Sequence, residues 1–156
     1  VLIMKTIQEI IQEAYKEIPT ITPKEAKKEQ EQGALIIDTR EINELAQTGK
    51  IKNSIHIPRG LIEFQNKETN PNGVEGFTKD KKIILYCAAG ARAALAGKAL
   101  KDIGFIDIRN LGSISDWISE GLPIEKITWI SKISRQNIID LLFQIRNILV
   151  ISEFLY

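Results

Sequence analysis

The sequence has little of several features that would each indicate a particular class of protein. Its 156 residues include one cysteine, which excludes an internal disulfide framework and fits a reducing compartment. The apolar run at residues 1–3 is too short for a signal peptide, and no uncharged apolar stretch is long enough to span a bilayer. The formal net charge is only +1, and Lys and Glu are interspersed, so no nucleic-acid surface is indicated. We therefore expect a soluble cytoplasmic protein with no membrane span and no nucleic-acid partner.

The rest of the sequence alternates between apolar runs and segments with helical spacing, which is typical of α/β proteins. The apolar runs predict strands at residues 20–21, 34–37, 54–57, 82–87 and 105–108. Helical spacing and capping residues predict helices at residues 4–18, 23–32, 41–47, 91–100 and 114–119. This order favours a mostly parallel sheet, in which functional residues lie at the carboxyl ends of the strands.

Two helix starts are marked by their local sequence. Thr22 is of a residue type that caps helices, Pro23 stands at the first helical position, and Glu25 completes a capping box. Ser113 is predicted to cap a later helix in the same way. We therefore expect one helix to begin directly after Thr22 and another directly after Ser113.

The only cysteine stands between a predicted buried strand and a predicted helix. The loop that we expect to bind an anion consists of the residues that follow Cys87, namely Ala88, Ala89, Gly90, Ala91 and Arg92. Small residues let the chain turn tightly, so that successive N–H groups and the positive end of the helix dipole face one point. A thiol at that point loses its proton more readily than a free cysteine does. We therefore interpret Cys87 as a nucleophile.

The alternative for Cys87 is a buried, inert thiol at the end of a core strand, a common state of free cysteines. The glycine and the arginine that follow at these spacings favour the nucleophile instead. Arg92 brings a fixed positive charge to the end of the loop, which suits an oxyanion substrate. The loop amides would also stabilise the anionic sulfur of a persulfide.

Four segments, in order along the chain, resemble the rhodanese-like family of single-domain sulfurtransferases. The segment from Lys81 to Arg92 resembles the active-site loop of that family, which runs from a cysteine through a glycine to an arginine. Residues 35–41 resemble its first signature, an aliphatic strand followed by Asp, any residue, Arg and Glu. Residues 49–60 are similar to its second signature. The fourth segment resembles its C-terminal signature and comprises Asn110-Leu111-Gly112 with Trp117 and Gly121-Leu122-Pro123. The resemblance covers residues 20–125.

The resemblance implies a fold and an activity. The fold would be a five-stranded parallel sheet with helices on both faces. The activity would be transfer of a sulfane sulfur from a donor such as the thiosulfate anion to a thiol or cyanide acceptor, through a persulfide on Cys87. The amides of Ala88 to Arg92 would hold the persulfide, and Arg92 would orient the incoming anion. The family's chemistry implies no metal and no organic cofactor.

Other polar residues follow the predicted strands or lie close to them. Asp38 and Arg40 are an acid and a base two positions apart, and we favour a structural ion pair over direct catalysis. Arg59 and Glu63 are expected at the border of the substrate cleft. His56 is the only histidine, and a lone histidine near a strand more often packs or faces solvent than acts as a base.

Two other classes of function are compatible with this sequence. Cysteine phosphatases and arsenate reductases also use a loop from cysteine to arginine, but their loops hold one residue more than the four between Cys87 and Arg92. The shorter loop suits a single sulfur atom better than a tetrahedral phosphate. The second class is a non-catalytic binding or regulatory module of the same fold, although the retained cysteine favours an enzyme.

We predict three regions along the chain. They are an N-terminal amphipathic helix at residues 1–19, a rhodanese-like domain at residues 20–125 and a C-terminal helical extension at residues 126–156. In the extension, Ser134 is a candidate cap for a helix over residues 135–151 that carries one apolar stripe. The stripe is expected to pack on the domain or on a second copy, as in a homodimer formed through the terminal helices. A membrane-surface helix and a non-native tail are the alternatives.

Overall fold

The computed structural model describes residues 4–127 and four single residues beyond them. Those four residues, which are all helical, are Ile139, Leu142, Phe143 and Arg146. The contacts divide the chain into two compact units that adjoin in the sequence between Lys126 and Ile127, and the first unit contains the central sheet. Apart from the four single residues, the predicted helix over residues 135–151 lies outside the described residues.

Helices and strands alternate along the first unit. The helices are α1 (Ile7–Glu17), α2 (Pro23–Glu31), α3 (Ile42–Thr48), α4 (Ala91–Asp102) and α5 (Ile114–Ser119). The strands are β1 (Leu35–Asp38), β2 (Lys50–Ile51), β3 (Ile55–His56), β4 (Ile83–Cys87), β5 (Ile108–Ser113) and β6 (Ile124–Glu125). A 3₁₀ helix spans Arg59–Gln65. Within the described residues, no helix has the length and the apolar character needed to cross a bilayer.

The central sheet is parallel, with the strand order β3–β1–β4–β5. The sequence predicts five strands, and that count is wrong for the described residues, where this sheet has four. At the fifth position Thr20 forms only a single parallel bridge with Asn110. The segment is too short for a ladder because α1 ends just before Pro19 and Thr22 already caps α2. A separate antiparallel pair, β2 with β6, was not predicted.

Helices cover both faces of the sheet, which confirms the predicted α/β architecture. Ile83, Leu85 and Cys87 on β4 pack in one core, together with buried residues of α4 and the 3₁₀ helix. Ile84 and Tyr86 point the opposite way and pack in a second core with residues of α2 and α5. Each large apolar side chain buried in this way contributes about 1.5–3 kcal/mol to stability. The two cores fix the central strand, and with it the position of the cysteine.

The predicted capping box at the start of α2 is confirmed. Thr22 Oγ1 accepts a hydrogen bond from the Glu25 N–H at 3.3 Å, and Glu25 Oε2 accepts one from the Thr22 N–H at 3.1 Å. Ser113 caps α5 as predicted, with its side chain accepting from the Ser115 N–H. These starts depend on neighbours along the chain, so local sequence was sufficient to predict them.

The last strand of the central sheet lies later in the chain than the sequence predicts. The prediction placed it at residues 105–108, whereas β5 spans Ile108–Ser113. The Phe105 N–H still donates to the Leu100 carbonyl at 3.0 Å, so the chain is completing the helix C-terminus at that point. The shift places Asn110 inside a strand, where its side chain reaches the loop after β4.

Candidate active site

The thiol of Cys87 lies at the carboxyl edge of the central sheet. β4 ends at Cys87 and α4 begins at Ala91, so Ala88, Ala89 and Gly90 form the whole connection. Cys87 belongs to the core beneath α4 and is 1% exposed, whereas Ala88 and Ala89 are exposed. A short surface loop of small residues therefore follows directly on the buried cysteine.

Gly90 connects the loop to the sulfur by a direct hydrogen bond. Its N–H donates to Sγ of Cys87 at 2.9 Å. Gly90 is the N-cap of α4 and has a φ of 99°, in the left-handed region that glycine adopts without a Cβ clash. The Ala94 N–H donates to the Gly90 carbonyl at 2.9 Å, so the preceding N–H groups of the first turn have no partner within the helix. The N-terminus of α4, with its backbone N–H groups and the positive end of the helix dipole, therefore lies next to the sulfur.

Arg92, the last residue of the predicted anion-binding loop, forms a bidentate ion pair with Glu44 of α3. Nη1 donates to Oε2 at 2.7 Å and Nη2 donates to Oε1 at 2.8 Å. The hydrogen bonds from Arg92 lower the pKa of Glu44 to about 2. In return, the hydrogen bonds to Glu44 raise the pKa of Arg92, with a smaller contribution from the sulfur of Cys87. The pair links the helices that follow β1 and β4.

The sequence reasoning missed Glu44, which it assigned only to a short helix. A signal for it was present. Glu44 stands three residues after Glu41, in the first turn of a helix that follows a strand end, and its carboxylate accepts the Glu41 N–H at 2.9 Å. Because the carboxyl ends of parallel strands meet at one edge, an acid at this place lies near the cysteine loop. The positive charge of Arg92 is therefore neutralised by a partner within the chain.

Asp38 and Arg40 form a buried ion pair at the end of β1. The two residues are 0% and 1% exposed, and Arg40 Nη2 donates to Asp38 Oδ2 at 2.7 Å. The guanidinium also donates to Thr48 Oγ1 and to the Gly49 carbonyl, each at 2.8 Å. These hydrogen bonds connect the segment after β1 to the C-terminal end of α3. The geometry supports the structural interpretation of the pair.

The remaining predicted residues lie on elements around the loop. His56 Nε2 is 2.7 Å from the carbonyl oxygen of Arg40, so its ring is engaged by the backbone. Arg59 forms an ion pair of 3.1 Å with Glu63 along the 3₁₀ helix, which packs against α4. Among residues 4–127 and the four single residues, no group of three His, Cys, Asp or Glu side chains could hold a metal ion.

The region of the chain that contains the site is similar in sequence to known proteins. Residues 22–120 match a family model described as the rhodanese-like domain. The chain is 34% identical over 91 residues to a sulfurtransferase from Allochromatium vinosum, an alignment that covers 58% of this chain and 77% of that protein. The matched region of the family model contains the cysteine loop, Glu44 and the ion pair at the end of β1.

Two solved structures extend the similarity in three dimensions. The polysulfide-sulfur transferase homodimer from Wolinella succinogenes matches with a TM-score of 0.62 and 31% identity, over 78% of this chain and 88% of that one. A protein of unknown function from Rhodopseudomonas palustris, described as a possible tyrosine phosphatase, matches with a TM-score of 0.68 and 34% identity. That match covers 80% of this chain and 98% of the other.

Proposed function

The chain belongs to the rhodanese-like domain family, and on this premise we propose that it is a sulfurtransferase whose transferred sulfur is carried by Cys87. The observation that carries the proposal is the hydrogen bond of 2.9 Å from the Gly90 N–H to Sγ of Cys87 at the start of α4. The same donor and the same helix terminus would stabilise the thiolate and the terminal sulfur of a persulfide. The similarity to proteins named as sulfur transferases supports the same conclusion.

The proposed reaction has two steps and balances without a further reactant. In the first, the Cys87 thiolate attacks the outer sulfur of a donor such as thiosulfate. A new S–S bond forms, the S–S bond of the donor breaks, and sulfite leaves with the electron pair. In the second, a thiolate or cyanide acceptor attacks the outer sulfur of the persulfide, and the Cys87 thiolate is released. Both steps are nucleophilic substitutions at sulfur.

We propose different roles for the residues of the loop after Cys87. Ala88 and Ala89 are the exposed residues that follow the buried Cys87, so we propose that the donor approaches the sulfur past these two small side chains. Arg92 is committed to Glu44, and we propose that it holds the start of α4 in place, while backbone N–H groups stabilise the sulfur anion. This role differs from the free oxyanion contact that the sequence suggested for Arg92.

A phosphatase is the second candidate, because one similar structure is described as a possible tyrosine phosphatase. Only four residues separate Cys87 from Arg92, and the guanidinium already binds a carboxylate. Both features favour a single sulfur atom over a phosphate group as the anion in the loop. A non-catalytic module is the third candidate.

Mass spectrometry after treatment with thiosulfate distinguishes these candidates. We expect the protein to gain one sulfur atom that dithiothreitol removes, and we expect Cys87→Ala to gain none. Incubation of the sulfur-loaded protein with cyanide should then produce thiocyanate and restore the original mass. Hydrolysis of an aryl phosphate without sulfur uptake would establish the phosphatase instead. If the folded protein catalyses neither reaction, the non-catalytic module is the candidate that remains.

A further inference from the structure

Asn110 is a buried polar residue beside the cysteine loop that the proposed reaction does not yet use. It lies on β5 opposite Leu85 of β4 and is 2% exposed. Its Nδ2 donates to the Gly90 carbonyl at 3.2 Å, and its Oδ1 accepts the Gly112 N–H at 2.8 Å. A buried amide that is bonded at both ends is held in a single orientation. Asn110 therefore presents a fixed donor to Gly90.

Gly90 is the residue on which the bonds of the loop converge. Its N–H points at Sγ of Cys87, while its carbonyl receives hydrogen bonds from Asn110 and from the Ala94 N–H. Only the φ and ψ angles of Gly90 separate these two peptide planes, and glycine has the widest freedom in both. Fixing the carbonyl plane thus restricts the direction of the N–H that faces the sulfur.

The backbone of Asn110 is itself held from the side away from β4. Its N–H donates to the Pro19 carbonyl at 2.8 Å, and its carbonyl accepts the Ile21 N–H at 3.1 Å. Helix α1 also packs on α4, and the Tyr15 hydroxyl lies 3.3 Å from the place that a Cβ on Gly90 would occupy. The segment between α1 and α2 thus holds the backbone of Asn110 in place through these two hydrogen bonds.

We infer that Asn110 is a positioning residue of the sulfur-transfer site, which holds Gly90 so that its N–H stays directed at the sulfur of Cys87 and of the persulfide. The inference rests on the proposed function and adds a residue to it. Asn110 acts through Gly90 and does not touch the donor. Its effect is therefore on the rate at which Cys87 takes up sulfur.

The test is Asn110→Asp at pH 8. This change keeps an oxygen for the Gly112 N–H but turns a carboxylate oxygen, in place of the N–H donor, towards the Gly90 carbonyl. Asn66→Asp is the matched control, because Asn66 is also 2% exposed and its Oδ1 accepts the Glu68 N–H at 3.0 Å. We expect the rate constant for sulfur uptake from thiosulfate to fall about tenfold in the first variant and to stay within about twofold in the second.

A second readout separates positioning from a loss of stability. In ¹H–¹⁵N spectra, the amide resonance of Gly90 should shift in Asn110→Asp and stay unchanged in Asn66→Asp. Urea unfolding gives the folded fraction of each variant, to which the rates are normalised. If Asn110→Asp does not fold, Asn110→Ala and Asn66→Ala, which bury no new charge, are compared in the same way.

The outcomes for the inference and for the proposed function differ. Equal normalised rates in the Asn110 and Asn66 variants, with the Gly90 resonance unmoved, overturn the inference alone. Failure of the unsubstituted protein to take up sulfur overturns the proposed function as well. A selective loss of rate accompanied by a shifted Gly90 resonance supports both.

Discussion

Arg92 and Glu44 are joined by two parallel hydrogen bonds, although 48 positions separate them in the sequence. The contact exists because β1 and β4 are neighbours in the sheet, so that the helices following them begin at the same edge. A guanidinium matches both oxygens of a carboxylate, and this geometry fixes direction as well as distance. The pair therefore sets the position of α3 relative to the start of α4.

Glu44→Gln should reduce stability in a way that depends on pH. The pKa of Glu44 is lowered from 4.5 to about 2 by its hydrogen bonds from Arg92. A lowered pKa in the folded state gives a stabilisation that is full above about pH 4.5 and is lost as the pH falls towards 2. Because both side chains are partly exposed, we expect about 1 kcal/mol at pH 7. Urea unfolding of both proteins at pH 7 and pH 2.5 measures the difference.

Glu63→Gln is the control for this prediction. Glu63 also pairs with an arginine, Arg59, and both pairs are partly exposed, but Glu63 accepts only one bond, of 3.1 Å, from a residue four positions away. Partly exposed pairs that are four residues apart and share a single bond contribute little, so the free energy of unfolding should change by less than about 0.5 kcal/mol. If Glu44→Gln lost the same free energy at both pH values, the ion pair with Arg92 would not be its source.

The parts of the fold that sequence predicted well are those that neighbouring residues decide. Thr22 and Glu25 stand three positions apart, and the geometry of a helix start brings them together whatever the rest of the chain does. The uniformly apolar Ile83–Leu85 likewise predicts a strand buried on both faces. Cys87 at the end of that strand and Gly90 at the start of the helix follow from the same local pattern.

The parts that sequence reasoning missed depend on how distant elements meet. The pair of Arg92 with Glu44 requires β1 and β4 to be neighbours, which no local pattern states. The contact of Asn110 with Gly90 requires Asn110 to lie within β5, paired with Leu85 of the neighbouring strand β4. β5 contains polar side chains, so the sequence does not show it as an apolar run. The segment forms a strand because its pairing with β4 outweighs the low β-propensity of these residues.

Asp38→Asn should destabilise the protein strongly and leave the sulfur-uptake chemistry intact. The change leaves the guanidinium of Arg40 buried at 1% exposure without its carboxylate. Leaving one member of a buried ion pair uncompensated costs about 3–5 kcal/mol. We expect the free energy of unfolding to fall by this amount in urea. The rate of sulfur uptake, normalised to the folded fraction, should stay within about twofold, because the pair holds loops rather than the donor.

The double variant Asp38→Asn with Arg40→Leu provides the control. Removing both charges relieves the uncompensated one, so the double variant should regain part of the stability that Asp38→Asn loses. A fall of a hundredfold or so in the normalised rate of Asp38→Asn would instead place Asp38 in the chemistry.

Gly90→Ala should reduce both stability and sulfur uptake. Gly90 has a φ of +99°, and an added Cβ would lie 3.2 Å from Gly112 Cα and 3.3 Å from the Tyr15 hydroxyl. The left-handed conformation alone costs about 1–2 kcal/mol for alanine. Crowding against the Gly112 backbone adds to this cost, and relief of the crowding would turn the Gly90 N–H away from Cys87.

Gly121→Ala separates the two causes. Gly121 also has a positive φ, +68°, but a Cβ there meets no atom within 4 Å. It should therefore show only the conformational cost in urea unfolding, with an unchanged rate of sulfur uptake. Gly90→Ala should lose more stability than Gly121→Ala and should take up sulfur at least about tenfold more slowly, because the donor to Cys87 is displaced. Equal losses of stability in the two variants, with equal rates, would show that the close approach of Gly112 and Tyr15 to Gly90 has no part in shaping the loop.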